Sequence, residues 1–347
     1  MAYTSIDDPS AHFQTALWTG TGSAGNAVTF DGNSDMQPDW VWSKRRDVGY
    51  SHVLKDTSRG GTSNNDLHLV SDLTNAESTY SNYRMDFNSD GFTADGVGDS
   101  GFQGSGSSMV SWCWKANGGT TSSNTDGYLT STVQANTTAG FSIVTFTADG
   151  NTRTVGHGLG VKPDVIWIAS RNVAGGFLVI TDAVDGSMDY GTLRNTNAFA
   201  SISYNAPTST VFEYNDNNTN TQVAYCFAQK QGYSKFGKYV GNGSTDGVFV
   251  YTGFKPAFLL YKKTGSGDGW FLIDSKRDPD NGSTERYLRA DESGTEATTS
   301  KIVDFCSNGF KLRNNDGAHN GSGNTYIYMA FAENPFVTST GIPTTAR

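Results

Sequence analysis

Three times along the chain a proline opens an apolar strand behind a glycine-rich turn, and this recurrence limits the architectures open to it. The copies are Met36-Gln-Pro-Asp-Trp-Val-Trp-Ser-Lys44, Val161-Lys-Pro-Asp-Val-Ile-Trp-Ile-Ala-Ser-Arg171 and Phe254-Lys-Pro-Ala-Phe-Leu-Leu-Tyr-Lys-Lys263. Proline fits the first residue of a strand, where its missing N–H costs little. An aromatic among polar turn residues follows each copy: Phe87, Tyr214 and Phe305 lie 49, 51 and 49 residues after Pro38, Pro163 and Pro256. Each unit closes on an aromatic-rich strand, Val110–Ala116, Val223–Gln229 and Ile327–Glu333. Co-linear markers at a near-constant period identify a tandem repeat.

Composition sets the class of each unit. Only 17% of the residues are charged, against 41 glycines, 20 phenylalanines, 16 tyrosines and 7 tryptophans. Many turns with aromatic interiors suit strands rather than helices, and no stretch carries a helical or heptad period. The expectation is an all-β chain of three tandem antiparallel β-sandwich repeats, jelly-roll or concanavalin-like. The units run over residues 1–116 with an N-terminal lead-in, 140–230, and 231–347 with an extended tail. Residues 117–139, opening on Asn117-Gly-Gly-Thr-Thr-Ser-Ser-Asn-Thr-Asp-Gly127, read as a flexible linker.

Several functions are disfavoured. A net charge of −9 with no long basic run argues against nucleic acid as a partner. No apolar run approaches the roughly 20 residues of a spanning helix, and Met1–Asp8 lacks the basic and apolar parts of a signal peptide. Cys113, Cys226 and Cys306 form no disulfide framework. Cys113 and Cys226 share a repeat position with Ala330, which suits a small buried residue. No nucleophile elbow, zinc-protease helix, phosphate loop or paired-carboxylate strand appears, so no catalytic residue, cofactor or metal is expected. The oxygen-rich tracts Asp278–Gly282 and Asn314–Gly317 match no calcium loop and read as turns. His157, in Gly156-His-Gly-Leu-Gly160, reads as a hydrogen-bonding turn residue.

Two features invite a site. Asp56 with Arg59 and Asp274 with Arg277 follow equivalent strands, and Asp182 stands for the second unit without an arginine. Because the pattern repeats, it reads as an ion pair anchoring a loop. Trp40 with Trp42, and Trp112 with Trp114, each lie at i and i+2 on one strand face. They form either a stacking platform for a glycan or the interior of the sandwich.

Tyr3-Thr-Ser-Ile-Asp-Asp-Pro-Ser10, Phe13–Gly20, Asp31–Trp42, Gln231-Gly-Tyr-Ser-Lys-Phe-Gly237 with Gly241–Gly247, and Tyr326–Phe336 through Arg347 resemble a family of repeat proteins encoded by marine bacteriophages. The resemblance covers essentially the whole chain. It implies a virion component of lectin-like fold, of tail-fibre, appendage or surface-adhesin type, or else a head decoration or cement protein. It implies other virion proteins and further copies of the chain as partners, with a host surface glycan as a further candidate, and no catalytic residues. A carbohydrate-binding module is the alternative class. The second unit departs from the pattern in its short segment between Tyr214 and Cys226.

Overall fold

The structure, a computed structural model, describes residues 2–60, 67–98, 101–265 and 267–344. It is nearly all β, 43% strand and 3% helical, in several antiparallel sheets. The last three residues of the expected tail lie outside the described residues.

Three larger sheets carry the architecture, and one strand order recurs in them. In the first sheet Phe13–Thr19, Ser108–Trp114, Trp40–Arg45 and Val53–Asp56 are neighbours in that order. In the second, Phe141–Thr147, Thr221–Phe227, Val165–Ser170 and Leu178–Thr181 form the middle of eight strands. In the third, Ser234–Val240, Thr325–Pro335, Phe254–Lys263 and Phe271–Asp274 are followed by two more. The proline-opened strand therefore always lies between the closing strand and the strand that follows it. Its register is constant too: Trp40 faces Trp114, Val165 faces Phe227 and Phe258 faces Phe331.

The proline-opened strands are buried at nearly every position because both of their faces are covered. One face lies under a small outer sheet, so that Val41 and Cys113, Ile166 and Cys226, and Leu259 and Ala330 belong to three separate outer cores. The other face turns inward. Trp40, Trp42, Trp112 and Trp114 of the first unit, Trp167, Tyr225 and Phe227 of the second, and Phe258, Leu260 and Phe331 of the third form one shared core. Trp40 sits at its middle, with ring centroids 4.5 Å from both Trp114 and Tyr225 and 5.7 Å from Trp167. A period-two pattern marks a strand with one wet face, and Trp40–Arg45 and Val165–Ser170 have none.

The outer sheets expose one misalignment in the sequence reading. Val28 pairs with Phe92, Val250 with Phe310 and Val155 with Phe212. Tyr214, set against Phe87 and Phe305 from sequence, instead lies on the strand of Phe212, the second-unit counterpart of Phe92 and Phe310. A third outer strand, Met85–Phe87 or Val303–Cys306, pairs in the first and third units, while the outer sheet of the second has two strands. From Phe212 to Cys226 the second unit still runs 14 residues, against 21 from Phe92 to Cys113.

The expected linker is also corrected. Within residues 117–139, Ser122–Asn124 and Ser131–Asn136 are strands at the edge of the eight-stranded sheet. Its entry is pinned by Asp39, whose carboxylate accepts the N–H groups of Ala116, Gly118 and Gly119 at 2.7–2.9 Å. A buried carboxylate taking three backbone donors holds this turn as a cap holds a helix end. The N-terminal lead-in closes onto the third unit: Tyr3 Oη donates to Gly253 O at 2.8 Å and Thr4 Oγ1 to Gln231 O at 2.7 Å.

One shared core means one folding unit. Trp40→Ala should cost about 3–5 kcal/mol, as buried large-to-small changes do. It should lower the midpoint of a single urea transition, followed identically by fluorescence and circular dichroism. Two separated transitions, only one of them moved, would contradict the shared core.

Candidate functional site

The four tryptophans cannot present a stacking platform. Trp40, Trp42 and Trp112 are fully buried and Trp114 is 2% exposed. Their positions at i and i+2 put them on one face, but that face is the inward one.

The ionic features lie between the units. Tyr225 Oη donates to Asp56 Oδ2 at 2.6 Å, and Trp112 Nε1 donates to Asp274 Oδ2 at 3.0 Å. Tyr225 and Trp112 occupy the same place in their closing strands, one pair inward of Phe227 and Trp114. Each aspartate is also paired with its own arginine, Asp56 with Arg59 and Asp274 with Arg277, the latter at 2.6 Å. Each arginine reaches a second carboxylate: Arg59 to Glu77 at 2.6 Å and Arg277 to Glu296 at 3.2 Å. Those glutamates bind an arginine of the adjoining unit, Glu77 to Arg171 and Glu296 to Arg46, both at 2.8 Å. Two matched networks therefore join the first unit to the second and the third to the first. Anchoring a loop is half of their role, and the cross-unit half was not legible in the Asp–Arg spacing. Glu77 and Glu296, at similar distances after their arginines, were the missed signal.

Three backbone bonds complete the ring. Glu77 N–H donates to Arg171 O, Phe199 N–H to Thr264 O and Glu296 N–H to Arg46 O, each at 2.8 Å. The seam between the second and third units thus carries Phe199 and Thr264 where the others carry glutamate and arginine. Its aspartate is missing as well. Trp40 pairs with Asp56 and Phe258 with Asp274, but Val165 pairs with Thr181. Asp182, assigned to this position from sequence, is one residue on and pairs with Lys162 near the surface. Apolar contact replaces charge here, with Phe199 edge-on to Trp270 at 5.8 Å and Trp270 Nε1 donating to Thr192 O at 2.9 Å.

Burial shapes the titration of these groups. Burial favours the neutral form of Glu296, but the hydrogen bond from Arg46 and the charges of Arg277 and Arg46 outweigh it and hold its pKa below the ordinary value. Burial drives the Tyr225 hydroxyl well above its usual range. Lys44 and Lys262, four residues beyond Trp40 and Phe258, are pushed down to about 8 by burial. A depressed lysine can mark a catalytic group, but both are committed to carbonyls: Lys44 Nζ to Arg45 O at 2.7 Å, and Lys262 Nζ to Asp268 O. His157 matches its sequence reading, buried in the turn with Leu159 N–H donating to its Nδ1 at 3.2 Å. Asn314 and Asp316 each accept a backbone N–H two residues on at 2.8 Å, as turns do. Among the described residues no group of three His, Cys, Asp or Glu side chains could hold a metal ion.

A groove of about 330 Å³ lies between the first and third units. It continues into an open depression of about 740 Å³ across Lys255, Ser275 and Glu333. Lys276 bridges the seam to Asp31 at 2.7 Å, and Lys255 pairs with Glu333 at 2.7 Å. The buried Thr15 Oγ1, on the groove wall, has no hydrogen-bond partner among the described residues. Paired charges, amides and one free hydroxyl suit a small polar molecule and offer no activated nucleophile.

A family model described as a domain of unknown function (DUF7483) matches residues 8–335, and the chain belongs to that family. The match runs through all three units. No curated protein matches the chain.

Two predictions concern the seams and the buried histidines. Removing one partner of a buried pair strands the other charge, so Asp274→Ala should cost about 3–5 kcal/mol in urea denaturation. Asp182→Ala, near the surface, should cost about 0–1 kcal/mol. Burial also depresses His12, His52, His157 and His319: His52 falls well below its ordinary value, and His319, whose Nδ1 lies 2.7 Å from Tyr261 Oη, falls to about 4. A depressed folded-state pKa adds stability that is present above the unfolded value of about 6.5 and lost as pH falls toward the folded one. Glu285 acts in the opposite sense, since burial raises it to about 7 and its share is lost as pH rises from about 4.5 through 7. His319→Gln should therefore gain stability relative to the parent chain as pH falls from 6.5 to 4. An unchanged pH profile in His319→Gln would contradict the assignment.

Proposed function

We propose that the chain is a non-enzymatic structural protein of a marine phage particle, carried on a tail fibre or appendage or displayed as a surface adhesin. In this reading the three units are diverged copies of one β-sandwich. The resemblance of the opening, the Gln231–Gly247 segment and the closing strand to phage-encoded repeat proteins supports it. The observation that carries it is the closed ring of seams. The chain's concentrated buried charge, Asp56–Arg59–Glu77–Arg171 and Asp274–Arg277–Glu296–Arg46, holds the units to one another. A body built this way keeps its outer loops at fixed separations, which suits assembly in many copies and outward display.

The recurring register supports the duplicated-sandwich part of the proposal, because the closing strand, proline strand and following strand keep one pairing in all three sheets. The departures fall outside that frame, in the outer strands and the second-to-third seam.

A reconstruction of the purified particle tests the proposal. Density for the chain on a fibre, collar or baseplate is the expected result. Density on the capsid lattice would replace the appendage with a head decoration or cement protein. Absence of the chain from the particle, or hydrolysis of a polysaccharide that one carboxylate substitution abolishes, would overturn the proposal.

A further inference from the structure

We propose that the outer sheet of the third unit is a glycan-binding surface, built on Phe249 and Tyr251. The strand Phe249–Tyr251 lies at the edge of its sheet with both aromatics outward, 44% and 54% exposed, and Val250 between them turned inward at 9%. The fold does not require aromatics there. Val250, Val28 and Val155 pair equivalently with Phe310, Phe92 and Phe212. The positions of Phe249 and Tyr251 are thus Ala27 and Thr29 in the first unit, and Thr154 and Gly156 in the second. Only the third unit places two large rings in solvent at the cost of exposed apolar area.

The surroundings fit a sugar. The Phe249 ring leans across the neighbouring strand over Gly309, where a β-carbon would lie 3.0 Å from Phe249 Cζ and 2.1 Å from Val250 O. The glycine keeps this shelf low beside Tyr251. Tyr251 is held in place: its hydroxyl lies 3.0 Å from that of Tyr3, which donates to Gly253 O. A ring fixed before binding loses little entropy on contact. Across the sheet from Phe249 come Lys311 and then Asp304, both partly exposed. Asp304 pairs with Arg313 at 3.1 Å, and both line an open polar cavity of about 390 Å³ with Thr245, Asn281 and Ser300. That volume lies within the range of small-ligand sites. Apolar ring faces beside a row of charged, amide and hydroxyl groups match the C–H faces and hydroxyls of a pyranose chain. Lys311 pairs with Asp246 at 2.7 Å, so both cations of the row, Lys311 and Arg313, face a sugar as ion pairs. The site stands on the third unit's own surface and is independent of where, or whether, the chain is mounted on a particle.

The test uses the full-length chain and a panel of neutral and acidic pyranose oligosaccharides, cello-, xylo-, chito- and alginate-derived, read by titration calorimetry and saturation-transfer NMR. Binding of at least one member is expected, with saturation transfer to its ring protons. Phe249→Ala with Tyr251→Thr installs the first unit's residues, so the variant should keep the parent's melting temperature and lose at least tenfold in affinity. Tyr80→Ala, an exposed aromatic elsewhere, should leave binding unchanged. The assignment is overturned if no panel member binds, or if binding survives the double substitution. It is equally overturned if the substitution changes only the chain's self-association, which would make the patch a contact between copies.

Discussion

Burial of both faces of the three proline-opened strands is the constraint from which the other features follow. A sheet with one wet face needs polar residues at alternate positions, and its outer side is free to vary. Here the inner faces of three sheets meet, so Trp40, Trp167 and Phe258 must fit one another as well as their own sheets. Close-packed interiors tolerate small volume changes poorly. Each unit also needs its own outer core, and the small sheets over Cys113, Cys226 and Ala330 supply these. Burial alone explains those two thiols, whose pKa values it raises.

A common core alone would let the sheets slide, since apolar contact is non-directional. The seams add direction. Two are held by aspartate–arginine–glutamate–arginine networks that an indole or phenol of the neighbouring unit completes. The third has Thr181, Met329 and Phe199 at the corresponding places and closes by apolar packing and backbone bonds. Buried ion pairs contribute little net stability against well-packed apolar residues. The apolar seam is therefore no weak point by default, and the ionic seams serve geometry more than strength.

Much of the framework was legible in the sequence. The proline strands and closing strands set the period, and pairing register follows them residue for residue. What escaped was anything depending on how the units meet. An all-apolar strand reads the same whether its second face meets its own sandwich or two other sheets, so Trp40–Trp42 and Trp112–Trp114 left the platform open beside the favoured interior. The polar run after Asn117 looked like a tether because an edge strand such as Ser122–Asn124 buries little. Asp182 stood beside Thr181, and only the pairing with Val165 separates them. Tyr214 mimicked the spacing of Phe87 and Phe305 although the outer strand it seemed to mark has no counterpart there. The exposed pair Phe249 and Tyr251 was invisible for the opposite reason: in sequence it is one more aromatic strand, and only comparison with Ala27 and Thr154 across paired positions sets it apart.

The central claim is that three sheets share one core and open together. Native-state hydrogen exchange under rising denaturant, on the intact chain, tests it most directly. The amides of Trp42, Trp167 and Leu260, one from each inward face, should exchange through a single opening with a common free energy and denaturant dependence. Distinct opening free energies for the three, each with the smaller denaturant dependence of one unit, would show independent beads and contradict the account.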